Sequence, residues 1–442
     1  MSVSAGNGGM LPCPPAMSVS AARRSLGAAR IEIALALVVF ATMCFVVLSV
    51  APQAAEPDDG AYQASIVAMS EGHFLTLSGP QAKTLALRLN DFPDLLPTQW
   101  VAVPDGRYIS EKDPGYPFLA MPFYELGLIR WAQLFYGALA CLGLFIGARR
   151  WLGIFGGLAA VGLYCSSGAA LAFAWRDFMP TFTDASLIAA GCGALLWTLL
   201  ATEASSRRRL WVGLAAFMAL ELATFVRYTD IVILGCATVT VIVASRIAAV
   251  RLPLRTLCAW LGSVAAFGVG VAIFDDLIYG GPLRSGYQPG QIQFDLSAIG
   301  PNLRIMPAQL IQAMPMLVLG LMVLILITLR WPKLHRIEGE RGEVARRDLW
   351  VAVALGGSWF AIWALYSAYT ATTYPGEVAV QDVRLYVPAI GVVSLLAAWL
   401  TTRIPGRVWR AGITAMVIIA LFVVGVSSFH AMYSALGVNL TG

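Results

Sequence analysis

Long apolar runs recur along this chain, and they constrain its fold more than any other feature. Most of them approach the roughly 20 residues that an α-helix needs to cross the hydrocarbon core of a bilayer. Hydrophobic residues make up 58% of the 442-residue sequence and charged residues only 12%, unlike the composition of a soluble domain. We therefore predict an all-α polytopic membrane protein with about 11 transmembrane helices. The predicted spans are Ile31–Val50, Tyr124–Gly147, Gly153–Phe173, Thr183–Ala201, Leu210–Val226, Ile231–Ser245, Leu257–Tyr279, Ala308–Leu329, Leu349–Tyr369, Leu385–Leu400 and Ala411–Phe429.

The rest of the chain divides into a tail, short connecting loops and two long loops. Residues 1–30 are rich in Gly, Ala, Ser and Pro, which predicts a disordered cytoplasmic tail. Residues 31–442 are predicted to form a single transmembrane domain. Its first long loop, residues 52–123, has two amphipathic helical patterns, and loops of this length are commonly functional. The second, residues 280–307, contains Gly, Pro and Gln and is predicted to be ordered but irregular.

The distribution of basic residues predicts the orientation of the chain. With the amino terminus in the cytoplasm, most of the 30 Lys and Arg residues fall on the cytoplasmic side, including Arg149-Arg150 and Arg207-Arg208-Arg209. The positive-inside rule then places both long loops outside the cytoplasm. Gly-, Ala- and Arg-rich composition is typical of a bacterial protein, so we predict a multi-pass protein of the bacterial cytoplasmic (inner) membrane. The net charge of +5 is too small to indicate a nucleic-acid partner.

Polar residues gather in four clusters at the outer ends of the predicted helices. Charged groups at a membrane edge are costly to bury, which makes them functional candidates. Each cluster alone also fits charged side chains that reach from a helix end into water. Because all four share one face and the cytoplasmic loops have no counterpart, we predict a functional site that faces the cell exterior or periplasm. The clusters are Asp58-Asp59 with Tyr62, Gly106–Pro117, Trp175–Phe178 with Thr183-Asp184, and Arg227–Asp230 with Gln381–Pro388.

The first of these clusters resembles a known motif. Asp58-Asp59-x-x-Tyr62, followed by Met69, Gly72 and an aromatic residue, is similar to the opening motif of the GT-C class of membrane glycosyltransferases. Members of that class carry Asp-Glu or Asp-Asp directly after the first transmembrane helix. The usual second acid is Glu, so Asp59 departs from the commonest pattern.

Two later stretches extend the resemblance. Gly106–Pro122 resembles the second signature of the bacterial branch related to protein mannosyltransferases and aminoarabinose transferases. Arg384, within Val-Arg-Leu-Tyr-Val-Pro, is similar to the Arg-Tyr-x-x-Pro pattern that precedes a late helix in this family. Each motif by itself is common, and it is their order and spacing that indicate the family.

The resemblance implies a hexosyl- or pentosyltransferase that moves a sugar from a polyprenyl-phosphate donor to a lipid, glycan or protein acceptor. Such enzymes work among membrane lipids at the outer face, in cell-envelope glycan or glycolipid synthesis. Asp58 and Asp59 would be the catalytic acids, with Asp58 as the base that deprotonates the acceptor hydroxyl. Arg384, Lys112 and Arg227 would contact the phosphate, because guanidinium groups suit bidentate contacts to its oxygens.

The remaining substrate-binding residues follow from the same resemblance. Tyr62 and His73 would line the sugar site, although Tyr and His are also common in structural positions. Asp177 and Asp382 complete the substrate-binding set. Asp59 or Asp177 would assist the base or hold a divalent cation, which is the one cofactor that the resemblance allows. The Cys residues form no CxxC motif or Cys/His cluster, so they predict no metal site of their own.

Two other interpretations compete with the enzyme. A transporter or flippase for a lipid-linked or small polar substrate would also need many helices and a charged cavity. It predicts inverted repeats and interrupted helices near the middle of the membrane, and no internal repeat is evident in the sequence. A structural membrane subunit would not need four polar clusters on one face. We therefore favour the glycosyltransferase.

Overall fold

Helices account for most of the structure, as the apolar runs predict. The computed structural model describes residues 19–52, 57–89, 96–103, 105–246, 250, 252–287, 290–334, 339–370 and 383–435. The described helices are α1 (Val19–Leu48), α2 (Pro57–Ser70), α3 (Gly79–Leu89), α4 (Gly115–Glu125), α5 (Ile129–Leu152), α6 (Ile154–Cys165), α7 (Gly168–Ala174), α8 (Thr181–Leu200), α9 (Ser206–Val226), α10 (Ile231–Arg246), α11 (Leu254–Tyr279), α12 (Ile299–Ala313), α13 (Met316–Leu334), α14 (Gly339–Ser367), α15 (Ile390–Ala398) and α16 (Arg407–Ala435). Short 3₁₀ helices occur at Tyr228–Asp230, Leu296–Ala298, Val387–Ala389 and Trp399–Arg403.

The described helices confirm a polytopic membrane protein but not the predicted number of spans. Eight helices are long and apolar enough to cross a membrane. Two further pairs, α6 with α7 and α12 with α13, pass the same test together but bend by 60° and 110° at their breaks. The described residues therefore support 8 spans, or up to 10, rather than about 11. The predicted span Leu385–Leu400 corresponds to a shorter apolar segment, Val387–Arg403, with 3₁₀ turns at both ends.

The breaks in both bent pairs are packed against each other. Ser167 Oγ, at the break after α6, donates to the carbonyl of Ala313 at 3.2 Å. Ser428 Oγ, on α16, donates to the carbonyl of Gln312 at 2.7 Å. Pro315 has no N–H and restricts the residue before it, which explains why α12 ends at Ala313. Two backbone carbonyls at the end of α12 thus have hydrogen-bond donors inside the protein, which satisfies them where no water is available in a bilayer.

The core of the bundle is the close packing of α5 against α8. A Cβ atom at Gly143 would overlap the backbone of Ala190, and Gly147 faces the backbone of Gly193 in the same way. Small residues let helix backbones approach each other in lipid, as the Ala/Gly-rich runs predict. The pair fixes the position of Thr181, the first residue of α8, which lies next to the candidate site.

The first long loop folds into a small cap that contains a sheet. α2 and α3 match the two amphipathic patterns of the sequence. Three antiparallel strands, β1 (Thr76–Ser78), β2 (Trp100–Ala102) and β3 (Arg107–Ser110), pair in the order β1-β3-β2. The all-α prediction omitted them because strands of this length are too short to show alternating hydrophobicity. The side chains buried in the cap are Ala64, Val67, Ala68, Leu77, Ala82, Leu85 and Trp100.

Two predicted boundaries differ in the structure. α1 begins at Val19, so residues 19–30 of the predicted disordered tail are helical. Ala and Arg, which are frequent there, favour helix, and a membrane helix that has already formed is readily extended. The irregular part of the second loop is shorter than residues 280–307, because α12 begins at Ile299.

Candidate active site

A cavity of about 400 Å³ lies where the cap, the second loop and several helix ends meet. Its volume is in the range of small-molecule sites. We call it the Asp58 cavity, because the first turn of α2 brings Asp58 to its wall. The wall combines acids, cations and aromatic rings, with few apolar residues. The lining residues are Asp58, Tyr62, Gln99, Glu111, Lys112, Asp113, Met179, Pro180, Arg227, Tyr228, Thr229, Ser285, Tyr287, Gln291, Ile292, Phe294, Tyr366, Tyr369, Arg384 and Leu385.

Asp58 lies between two cations in this cavity. Its Oδ1 is 2.8 Å from Nζ of Lys112, and its Oδ2 is 2.9 Å from Nη1 of Arg384. Burial of Asp58 acts against its ionisation, but the charges of Arg384 and Lys112 outweigh burial and hold the pKa of Asp58 below its usual range. The carboxylate is therefore ionised at neutral pH, and it bridges two residues that are far apart in the sequence.

The second loop holds Lys112 in place from the opposite side. Gly286 packs so closely on the backbone of Ser110 and Glu111 that a Cβ atom would not fit there. The next residue, Tyr287, thereby places its ring over Lys112, with Nζ 5.3 Å from the ring centroid and 3.5 Å from the hydroxyl oxygen. A cation over an aromatic face is stabilised electrostatically. Lys112 is consequently directed toward Asp58.

Arg227, just after α9, joins three elements at the cavity. Its Nη1 donates to the carbonyl oxygen of Arg384 at 3.2 Å, and its Nη2 donates to Oγ1 of Thr181 at 3.3 Å. Its Nε lies 3.8 Å from Oδ2 of Asp184, which is fully buried. The guanidinium group thus connects α8 and α9 to the segment that carries Arg384, and it adds positive charge on that side of the cavity.

Asp113 is a second cavity acid in a different environment. Its Oδ2 accepts a hydrogen bond of 3.4 Å from the backbone N–H of Tyr228. Burial is the largest influence and raises the pKa of Asp113 to about 7, although this N–H and the charges of Lys112 and Arg227 act in the opposite direction. Asp113 therefore titrates near neutral pH, where Asp58 stays ionised.

The raised pKa of Asp113 predicts a pH-dependent stability. Between about pH 4 and pH 7 the folded protein keeps a proton on Asp113 that the unfolded chain has lost. The contribution of this group to the free energy of unfolding therefore falls as the pH rises through that window. Asp113→Asn removes this titration. The melting temperature of the variant minus that of wild type, both measured in one detergent, should therefore be larger at pH 8 than at pH 5. An identical difference at the two pH values would contradict a raised pKa of Asp113.

Asp59, the neighbour of Asp58, lies outside the cavity lining. It forms an ion pair with Arg176, in which Nε of Arg176 is 3.2 Å from Oδ1 of Asp59 and Nη2 contacts Oδ2. Their side chains are only 1% and 2% exposed. Gln133 holds the same segment, because its Nε2 donates to the carbonyls of Arg176 at 3.2 Å and of Met179 at 2.6 Å. Asp59 thus joins the start of α2 to a loop whose Met179 lines the cavity.

Solved membrane-protein structures share this architecture. The crystal structure of ArnT from Cupriavidus metallidurans in the apo state aligns with 90% of this chain and 64% of its own, with a TM-score of 0.50 and 18% identity. The apo oligosaccharyltransferase of Archaeoglobus fulgidus aligns with 90% of this chain and 56% of its own, with a TM-score of 0.52 and 11% identity. The chain has a GT-C fold.

The likeness concerns the fold, because the sequence identities are low. The chain spans less than two thirds of the length of either of these proteins. No protein-family model matches the sequence, and no curated protein matches it. The GT-C fold predicted from the order and spacing of the sequence motifs is thus confirmed by structure, without support from overall sequence similarity.

The GT-C fold brings five of the predicted site residues into one cavity. These are Asp58, Tyr62, Lys112, Arg227 and Arg384. They come from three of the four sequence clusters and are spread along the chain from residue 58 to residue 384. Residues of these three clusters therefore share one cavity wall.

The other predicted residues lie elsewhere. His73 is in the turn after α2, where its Nδ1 is 3.2 Å from Nε2 of Gln81. Asp177 is on the loop before α8, outside the lining, and burial raises its pKa to about 6. Asp382 lies outside the described residues. Within the described part of the chain, no group of three or more His, Cys, Asp or Glu side chains is arranged to hold a metal ion, and the Asp59 carboxylate is paired with Arg176.

Sequence reasoning missed most of the aromatic wall. Tyr287 and Phe294 belong to the second loop, while Tyr366 and Tyr369 stand at and just beyond the end of α14. Tyrosine is common at membrane interfaces, so no local pattern separates a cavity tyrosine from one that anchors the protein at the membrane surface.

Gln99, which also lines the cavity, was not predicted from the sequence either. It hydrogen-bonds to Asp58 from a left-handed backbone conformation with φ of 58°, a strained geometry that is typical of functional sites.

Proposed function

We propose that this protein is a glycosyltransferase that moves a sugar from a polyprenyl-phosphate donor to an acceptor hydroxyl. The observation that carries the proposal is the arrangement of Asp58 between Lys112 and Arg384, inside a cavity of a GT-C fold. Transfer from a sugar phosphate needs a base for the acceptor and cations for the phosphate, and this arrangement supplies both. The tyrosine-rich wall provides ring faces and hydroxyl groups that suit a sugar.

In the proposed reaction the acceptor oxygen attacks the anomeric carbon of the sugar. The bond from that carbon to the phosphate oxygen breaks, and polyprenyl phosphate leaves with the bonding electrons. The hydroxyl proton passes to the Asp58 carboxylate. Lys112 and Arg384 stabilise the charge that develops on the phosphate, and Arg227 adds to the positive potential, since guanidinium groups contact two phosphate oxygens at once.

A transfer assay tests this function directly. Purified protein is supplied with polyprenyl-phosphate-linked hexoses and pentoses, together with lipid, glycan or protein fractions of a bacterial envelope as acceptors. We expect release of polyprenyl phosphate and incorporation of the sugar into one fraction. Arg384→Ala should abolish most of this release, while Arg384→Lys should retain more, because the charge is kept and the forked geometry is lost. Absence of release from every donor would contradict the proposal.

We also propose that the Asp58 cavity opens at the outer face of a bacterial cytoplasmic membrane. The support is charge, because Arg149, Arg150 and the basic residues in the first turn of α9 lie at the helix ends opposite the cavity. Leu283 is 94% exposed on the second loop, and Thr202 is exposed on the loop between α8 and α9.

Cysteine labelling tests that orientation. In a background without the native cysteines, an impermeant maleimide should label Leu283→Cys in intact spheroplasts. Thr202→Cys should react only after lysis. The opposite pattern would place the cavity on the cytoplasmic side.

The alternative, a transporter or flippase, has one supporting observation, since the structure contains broken spans. Their breaks, at Ser166-Ser167 and Met314-Pro315, do not line the Asp58 cavity and are packed against each other.

An assay with the donor in one leaflet separates the two functions. With donor in only one leaflet of a liposome, a transferase releases polyprenyl phosphate in that leaflet, whereas a flippase moves the intact donor to the other.

A further inference from the structure

The position of Asp58 between two cations leads to an inference about binding order, which rests on the proposed function. We propose that Lys112 and Arg384 form a phosphate subsite that the Asp58 carboxylate occupies while no ligand is bound. An incoming phosphate group takes both cations and displaces Asp58. The base is thereby released by the donor itself.

The geometry of Asp58 matches that of an anion bound in a subsite. Each carboxylate oxygen holds a different cation, Oδ1 with Lys112 at 2.8 Å and Oδ2 with Arg384 at 2.9 Å. Two oxygens of a phosphate group can make the same pair of contacts, and they carry more charge. The phosphate and the carboxylate therefore compete for the same two donors.

The neighbouring side chains favour an exchange in which the cations stay in place. Tyr287 supports Lys112 from the side of the second loop. The backbone carbonyl of Arg384 accepts a hydrogen bond from Arg227. The other two cavity acids have contacts elsewhere, since Glu111 accepts from Nε2 of Gln291 at 3.1 Å and Asp113 accepts from a backbone N–H. The carboxylate that must move is therefore Asp58.

The exchange has a chemical consequence for the base. A carboxylate in two ion pairs is a poor proton acceptor, because protonation has to break both pairs. Once the cations are bound to phosphate, Asp58 remains in a buried setting without those pairs, and burial increases its affinity for a proton. An acceptor hydroxyl is then deprotonated only when the donor is present. The order of events is donor first and proton transfer second.

Substitution of Asp58 distinguishes competition from ordinary anion binding. Asn keeps the shape of the side chain but cannot hold two cations as ion pairs. We therefore expect Asp58→Asn to bind a phosphate group on the order of tenfold more tightly than wild type, since two charge-assisted contacts no longer have to be broken. Replacing Lys112 by Gln in the Asp58→Asn background should reverse most of that gain.

Glu111→Gln is the matched control. It removes one negative charge from the residue adjacent to Lys112, yet Glu111 is hydrogen-bonded to Gln291. Glu111 forms neither of the two ion pairs that phosphate would replace, so this substitution should change the phosphate affinity by less than about threefold. An equal gain in Glu111→Gln and Asp58→Asn would show a general effect of charge and would overturn the subsite.

Three probes identify what is recognised: inorganic phosphate, a short-chain polyprenyl monophosphate and the corresponding polyprenol. They are titrated calorimetrically into detergent-purified wild type and variants of matched melting temperature. Tighter binding of both phosphates by Asp58→Asn supports a subsite for the phosphate group, and tighter binding of the lipid phosphate alone supports one that also needs the chain.

Two further results overturn the inference: no binding of either phosphate, or binding by Asp58→Asn that is no tighter than in wild type. Polyprenol should show no difference between the variants. None of these titrations requires sugar transfer, so the subsite and the proposed enzymatic activity can fail separately.

Discussion

Asp58→Asn is expected to lower the rate of sugar transfer by about 10²- to 10⁴-fold, the usual contribution of a positioned general base. The amide has nearly the same shape as the carboxylate but cannot take the proton of the acceptor hydroxyl. Because Asp58 is at the cavity surface and 15% exposed, the substitution should leave folding intact. The measurement is turnover of purified variants at equal protein amounts, with the melting temperature as the control for folding.

Asp113 provides the informative comparison for this prediction. It lines the same cavity, and burial brings its pKa to about 7, which also suits a proton acceptor at neutral pH. We expect Asp113→Asn to keep substantially more activity than Asp58→Asn. If Asp58→Asn stayed within a fewfold of wild type while Asp113→Asn lost turnover, the base would have to be reassigned to Asp113.

Arg176→Leu is expected to destabilise the protein by about 3–5 kcal/mol, because it leaves the Asp59 carboxylate buried without its partner. The side chains of this pair are almost fully buried. Replacing both residues by apolar ones, as in Asp59→Leu with Arg176→Leu, should recover most of the loss, since breaking a buried pair is worse than removing it. Unfolding in one detergent, followed by temperature or denaturant, measures both effects.

An exposed ion pair provides the control for this experiment. Arg107 and Asp105 are in contact on the cap, with side chains about half exposed (48% and 51%). Surface pairs of this kind contribute little, so Arg107→Leu should hardly change the unfolding transition. If Arg176→Leu unfolded at the same point as Arg107→Leu, the buried pair would not stabilise the fold.

The transmembrane spans and the polar clusters could be predicted because each is visible in a short stretch of sequence. The length of an apolar run is a local property, so most spans could be located from it. A bend is not visible in such a run, because the apolar residues continue through Met314 and Pro315 while the helix axis turns by 110°. The polar clusters were recognisable because charged side chains at membrane edges are unusual.

The divergent surroundings of Asp58 and Asp59 could not be predicted from their adjacency. Successive side chains on an α-helix point about 100° apart, so two neighbouring acids on the first turn of α2 meet different surroundings. One reaches the cavity and the other the protein interior. The partners that decide this, Arg384 and Arg176, lie more than a hundred residues further along the chain, and only the packing of distant helices brings them near.

The anchoring of Asp59 has a kinetic consequence for ligand capture. Asp59 is paired with Arg176, and the backbone carbonyl of Arg176 accepts a hydrogen bond from Gln133, so these contacts restrain the backbone at the start of α2. Displacement of Asp58 then requires rotation about its own side-chain bonds. Such rotations are much faster than movements of helices or domains, which take microseconds to milliseconds. Stopped-flow traces of phosphate binding should accordingly show a single phase whose rate rises linearly with ligand concentration, without a plateau.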